Sequence, residues 1–123
     1  MYSGILHSSV IVSDTEKALH FYCNILGLEV DTQRPDLGYP GAWLNVAGQQ
    51  IHLLEVPNPD PVDNRPTHGG RDRHTAIGVI DFEQLVSRLE QNHIQYTKSK
   101  SGRSALFCRD PDGNTLEFIA VQA

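Results

Sequence analysis

HSSVIVSD at 7–14 and HTAIGVID at 74–81 align without a gap: a histidine, a short polar residue, an apolar run, then aspartate. A second pair follows in the same order, GQQIHLLEV at 48–56 and GNTLEFIAV at 113–121. The first offset is 67 residues and the second 65, a difference that one loop absorbs. Either match alone could be chance, but both in one order point to two copies of a unit of about 60 residues, a repeat that limits the available folds.

Each copy reads as βαβββ. Residues 5–12 form a strand, and Ser13 or Asp14 caps a helix over 14–26, with Glu16 placed to close a capping box on Ser13. Ala18, Leu19, Tyr22, Ile25 and Leu26 give that helix an apolar face, and Gly27 ends it. LEVDTQR, AWLNV and QIHLLEV supply three more strands, the last two joined by an Ala-Gly turn. In the second copy a strand at 74–80 leads to Asp81, which caps a helix through Gln91 that buries Phe82, Leu85, Val86 and Leu89. Strands near 94–98, 104–109 and 114–121 complete it, the last opening from the DPDGN turn. The expectation is an α+β chain acting as one domain, with a first unit over about 5–56, a linker at 57–73 and a second unit over about 74–121. That linker is rich in Pro, Gly and Asp, and its length suggests a flap over a site, hinged at Gly69-Gly70.

With 123 residues, the chain can bury a core without staples. Ten Lys and Arg against fifteen Asp and Glu leave a net charge of −5, which disfavours nucleic acid and anionic membrane as partners. No apolar run approaches the roughly 18 residues of a span, and MYSGILHSSV lacks a basic region with a long apolar stretch behind it. Cys23 and Cys108 belong to no CxxC pair, so free thiols in a reducing cytoplasm are expected, with one bridge between them the open alternative.

The polar residues that fall on apolar strand faces carry the functional signal. His7 and His74 are equivalent positions at the start of each unit's first strand; His52 and Glu117 are equivalent on its last. His7 shares a face with Ile5, Ser9 and Ile11, and His52 with Leu54 and Val56, while Glu117 lies between Thr115 and Ile119. Such groups are costly on an apolar face unless something satisfies them, and a divalent metal held by mixed nitrogen and oxygen donors would. A lone strand histidine is usually a hydrogen-bonded core or surface residue, but the repeat makes these four correlated. An approximate two-fold between the units would gather them round one axis. His20, His68 and His93 lack repeat equivalents and read as solvated. Tyr39, Trp43, Arg34, Arg71, Arg73, Arg103 and Arg109 are pocket candidates, with surface placement the commoner fate.

The paired units, the opening HSSVIVSDTEKALHFYCNILGLEV, HTAIGVID and DPDGNTLEF together resemble the vicinal oxygen chelate superfamily, which holds glyoxalase I, bleomycin-resistance proteins, fosfomycin thiol transferases, methylmalonyl-CoA epimerase and extradiol dioxygenases. The resemblance implies a glyoxalase-like fold of curled, barrel-like mixed sheets. His7, His74 and Glu117 fall on its metal-ligand positions, and His52 falls where glyoxalase I carries Glu and the epimerase Gln. Departures bear on the reaction. Ile11 and Val56 stand where glyoxalase I would place Arg and Asn for glutathione, and Phe107 stands where the dioxygenases place a catalytic Tyr.

These readings lead to a cytoplasmic, homodimeric metalloenzyme acting on a small oxygen-bearing substrate by isomerase or lyase chemistry. Its divalent cation (Zn, Ni, Fe, Mn or Co) would stabilise an enediolate or other oxyanion, with Glu117 as the proton shuttle. Ring-cleaving oxygenation and a non-catalytic ligand-binding role of the bleomycin-resistance type are the alternatives. With one carboxylate among four ligands the site would carry net +1 around a divalent ion and favour an anionic substrate oxygen.

Overall fold

The computed structural model describes all 123 residues and divides into two compact units, Met1–Asp60 and Pro61–Ala123. In the first, β1 (His7–Ile11) leads to α1 (Thr15–Leu19), which runs into a π turn (His20–Ile25). Next come β2 (Glu29–Val30), β3 (Gly41–Val46) and β4 (Gln49–Leu54). The sheet order is β1-β4-β3-β2, with β1 parallel to β4 and the other pairs antiparallel. The second unit repeats the plan with β5 (His74–Val79), α2 (Phe82–Gln91), β6 (Tyr96–Lys98), β7 (Ala105–Arg109) and β8 (Thr115–Ala120). Its order is β5-β8-β7-β6, again with the outer pair β5 and β8 parallel. The α+β class and the βαβββ repeat are therefore as the sequence indicates.

Alternation along each central strand divides the sheet into an apolar face and a chemical one. Leu44, Ile51 and Leu53 are at most 3% exposed and form the first core with Ala18, Phe21, Tyr22 and Ile25. Leu106, Cys108, Leu116 and Phe118 do the same in the second with Leu85 and Leu89. Each large apolar side chain so removed from water contributes about 1.5–3 kcal/mol. The helices begin as capping rules require: Asp14 accepts from Lys17 N–H, and Asp81 accepts from Gln84 N–H.

Three expectations need revision. The helix drawn over 14–26 is α-helical only to Leu19, and Asp14 is its N-cap. Beyond, Leu26 N–H reaches back to Phe21 C=O, giving the wider π turn. Its smaller angle between neighbours lets consecutive Phe21 and Tyr22 both enter the core. LEVDTQR yields only the short β2, because Asp31 folds its side chain onto the Gln33 N–H and favours a turn. The Gly69-Gly70 pair is not a free hinge but part of a 3-10 turn, Gly69–Arg71. Gly69 is buried, and a Cβ there would meet Thr115 Cγ2 at 2.7 Å and Phe107 Cβ at 2.9 Å. Most of the linker thus belongs to the second unit, and its His68–Gly69 end packs over Phe107.

Candidate metal centre

In the first unit, β4 places His52 opposite Ser9 on β1 and Trp43 on β3. One face of the sheet thereby carries His7, His52 and Trp43 together. The His52 ring is stacked between the other two, with centroids 3.8 Å from His7 and 4.5 Å from Trp43 and planes within 14°. Its Nε2 lies 2.9 Å from Gln50 Oε1. The Gln50 amide donates from Nε2 to Asp31 Oδ2 at 2.8 Å and to Asn45 Oδ1 at 3.0 Å, which leaves Oε1 as the acceptor. His52 therefore carries its proton on Nε2 and offers Nδ1 as its lone pair. Burial, then the neighbouring His7 and Arg34, hold the His52 pKa below its ordinary value, with Asp31 opposing. The neutral ring, the form that binds metals, is thus favoured. Arg34 is itself fastened to Tyr39, donating to its carbonyl at 2.9 Å and lying over its ring.

In the second unit the equivalent row is Ala76, Glu117 and Phe107. Glu117 is only 4% exposed, and both carboxylate oxygens have neighbours. Oε1 lies 3.3 Å from His74 Nε2, and Oε2 lies 3.2 Å from an Arg103 guanidinium nitrogen. His74 Nδ1 is 2.8 Å from the Asp72 carbonyl oxygen, which can only accept, so Nδ1 carries the hydrogen. In a neutral His74, Nε2 is then a bare lone pair facing a carboxylate oxygen. A lone pair that faces a carboxylate oxygen in this way is the arrangement a shared metal ion would satisfy. Zinc-like bonds of about 2.0–2.2 Å in tetrahedral geometry separate neighbouring ligand atoms by about 3.4 Å, so the pair fits a metal with almost no movement. Phe107 presents its ring edge-on to His74 at 5.2 Å and to His68 at 5.1 Å, a dry apolar wall beside the carboxylate.

All four sequence-predicted ligands thus lie on the chemical faces, paired as His7 with His52 in one unit and His74 with Glu117 in the other. Within either unit the donors come in twos: no group of three His, Cys, Asp or Glu is preassembled. Several residues gain roles that spacing alone did not give them. His68 is not solvated but bonds Thr97 Oγ1 through Nδ1 at 3.0 Å. Trp43 walls His52, Arg103 pairs with Glu117, and Arg109 is half-buried in an ion cluster with Asp72. The sequence did not signal this role for Trp43, because the 65-residue offset that aligns His52 with Glu117 sets Trp43 against Cys108, and only the strand pairing makes Phe107 its equivalent. His20 and His93 are exposed, as expected. Both cysteines are free thiols, and burial with nearby Asp110 pushes Cys108 up to about 12, so it is an inert core residue.

A cavity of about 710 Å³ opens beside this face of the second unit, lined in part by Thr67, Gly69, Tyr96, Thr97, Phe107 and Thr115. Its size suits a small organic molecule. No helix is long and apolar enough to cross a membrane.

The repeat, the sheet topology and the paired donors together define a class. The profile of the Glyoxalase/Bleomycin resistance protein/Dioxygenase superfamily matches residues 4–118, and the chain belongs to that superfamily. It is similar to Glyoxylase I 4 of Arabidopsis thaliana, at 29% identity over 94% of this chain and 70% of that protein. It is also similar to a lactoylglutathione lyase of Haemophilus influenzae, at 29% identity over 94% and 90% of the two chains. Among solved structures, a glyoxalase family protein from Bacillus anthracis superposes with a TM-score of 0.81, at 23% identity over 99% and 98% of the chains. That last likeness supports the glyoxalase fold.

Proposed function

We propose that the chain is a metal-dependent enzyme of glyoxalase type, with His7, His52, His74 and Glu117 as its metal ligands. The observation that carries this reading is the facing of His74 Nε2 and the buried Glu117 Oε1 at 3.3 Å, beside the Phe107 ring. Three nitrogens and one oxygen suit zinc, nickel, cobalt or iron rather than magnesium or calcium. When bound, such a cation supplies Lewis-acid charge to an oxyanion that develops on the substrate.

The chain's own residues do the rest. Glu117 is the proton shuttle, taking a proton from carbon next to a substrate carbonyl and returning it to the neighbouring carbon. Arg103 neutralises the carboxylate while it is idle, and Phe107 keeps water from it. Isomerase or lyase chemistry fits best. Phe107 has no hydroxyl to offer where ring-cleaving relatives carry a Tyr, which lowers the dioxygenase alternative. The lyase likeness of its relatives supports the class, while Ile11 and Val56 speak against glutathione adducts as the substrate.

The protein is further proposed to be a homodimer. β1 and β5 lie at sheet edges, and Ile5, Leu6 and Ile80 beside them are exposed. Light scattering at micromolar concentration should give twice the chain mass.

The deciding experiment loads purified protein with zinc, nickel, cobalt or ferrous iron. It then follows solvent-deuterium exchange next to the carbonyl in a panel of small 2-oxo and 2-hydroxy compounds. Metal-dependent exchange that Glu117→Gln abolishes is expected. Catechol ring opening with iron alone would install the oxygenase reading, and ligand binding without exchange or metal would install the binding-protein reading.

A further inference from the structure

We propose that Asp72 is the positioning residue of the second half-site, setting the tautomer of His74 and holding its Nε2 toward Glu117; this rests on the metal reading above. Every polar group of Asp72 has a partner. Its N–H donates to the Gly69 carbonyl at 3.0 Å. Oδ1 accepts from Arg65 at 2.6 Å and from Arg73 N–H at 2.8 Å. Oδ2 accepts from Arg109 Nη1 at 2.7 Å, with Thr115 Oγ1 at 3.4 Å. The remaining group, its carbonyl oxygen, accepts from His74 Nδ1 at 2.8 Å. The side chain is 7% exposed.

This fastening matters because Arg109 ties the same cluster to the strand that bears Glu117. Its guanidinium donates to Gly113 C=O at 2.8 Å and Thr115 Oγ1 at 2.6 Å, and to Pro66 C=O at 2.6 Å. One ion cluster therefore fixes both the carbonyl that orients His74 and the start of β8, two residues before Glu117. A histidine ligand whose second nitrogen donates to a fixed acceptor keeps one tautomer and one ring orientation, and loss of such a partner costs about ten- to a hundred-fold in metal affinity. Arg65 and Arg109 are positioning residues in the same sense, acting through Asp72.

The test uses the full chain and two readouts. Long-range 1H–15N spectra of the metal-free protein near pH 8 report the His74 tautomer directly. The wild type should show a protonated Nδ1 and a bare Nε2. Asp72→Asn and Arg109→Gln should each mix the tautomers and weaken Co(II) binding by about ten- to a hundred-fold, with His52 resonances unmoved. Arg109→Lys, which keeps the charge, should recover part of both effects. A wild-type His74 protonated on Nε2 would overturn the proposal. So would an unchanged tautomer and Co(II) affinity in both Asp72→Asn and Arg109→Gln. Should the wild type bind no Co(II), the metal reading fails, and the tautomer spectra still decide the role of Asp72.

Discussion

At the centre of one sheet stands His52, flanked by Ser9 and Trp43; at the same place in the other stands Glu117, flanked by Ala76 and Phe107. The backbone register is shared, but the polar load is met in different ways. Uncharged amides and stacked rings surround His52, with Gln50 bridging it to Asp31, and the arrangement favours a neutral imidazole. Around Glu117 the partners are the Arg103 guanidinium on one oxygen and the His74 imidazole on the other, with the Asp72 ion cluster behind His74. Duplication of a fold therefore does not duplicate electrostatics. One unit is built to present nitrogen lone pairs and the other to present a carboxylate. The two histidines even expose opposite nitrogens, Nδ1 at position 52 and Nε2 at position 74.

The largest contrast between the halves should appear in metal affinity. Glu117→Ala removes the single anionic donor and should abolish measurable Zn(II) or Co(II) binding in titration calorimetry. His52→Ala should weaken binding at least ten- to a hundred-fold, and His52→Glu should retain metal. Unchanged affinity in His52→Ala would leave a three-ligand site of His7, His74 and Glu117, and the asymmetry would then be one of function as well as of charge.

Next in size is a packing contrast between two glycines. Gly69→Ala drives a methyl group against Thr115 and Phe107 and should cost about 1–3 kcal/mol in denaturant unfolding. A Cβ at Gly48, in the turn between β3 and β4, meets nothing within 4 Å, so Gly48→Ala should stay within about 0.5 kcal/mol. Equal effects would mean that Gly69–Arg71 is not docked on its sheet as described.

Acid should separate the units more gently. His52 titrates below its usual 6.5, so as pH falls through that value the unfolded chain takes up a proton before the folded one. The first unit should therefore lose stability from about pH 6.5 downward. Although burial opposes its charge, Asp72 is held well below its usual 3.8 by hydrogen bonds from Arg65 and Arg109. Its contribution is present above that value and is lost only as pH falls below it. Hydrogen exchange resolved by residue should thus show β4 loosening at a higher pH than β8. The reverse order would contradict the assigned environments.

The smallest effect is optical. Trp43, the single tryptophan, stacks on His52, so metal binding there should alter its emission, and His52→Ala should remove the response. No response in the wild type, with metal demonstrably bound, would detach His52 from the centre.

Much of this was legible in the chain itself. Two ungapped matches gave both βαβββ units, because strand alternation and capping are local and survive divergence. They also paired His52 with Glu117, since residues at equivalent strand positions inherit the same face and the same depth. The sequence did not show that residues 65–72 are bound to the second sheet, because Pro, Gly and Asp describe a loop equally well when free and when docked. Arg65, Asp72 and Arg109 are far apart along the chain and carry no shared spacing. Only the folded backbone brings them within hydrogen-bond distance, and a carbonyl that selects a tautomer has no side-chain signature at all. Sequence determined which donors stand on the chemical faces; tertiary structure decided which nitrogen each histidine offers. That choice depends on a partner's position within a few tenths of an ångström, which composition and periodicity do not encode.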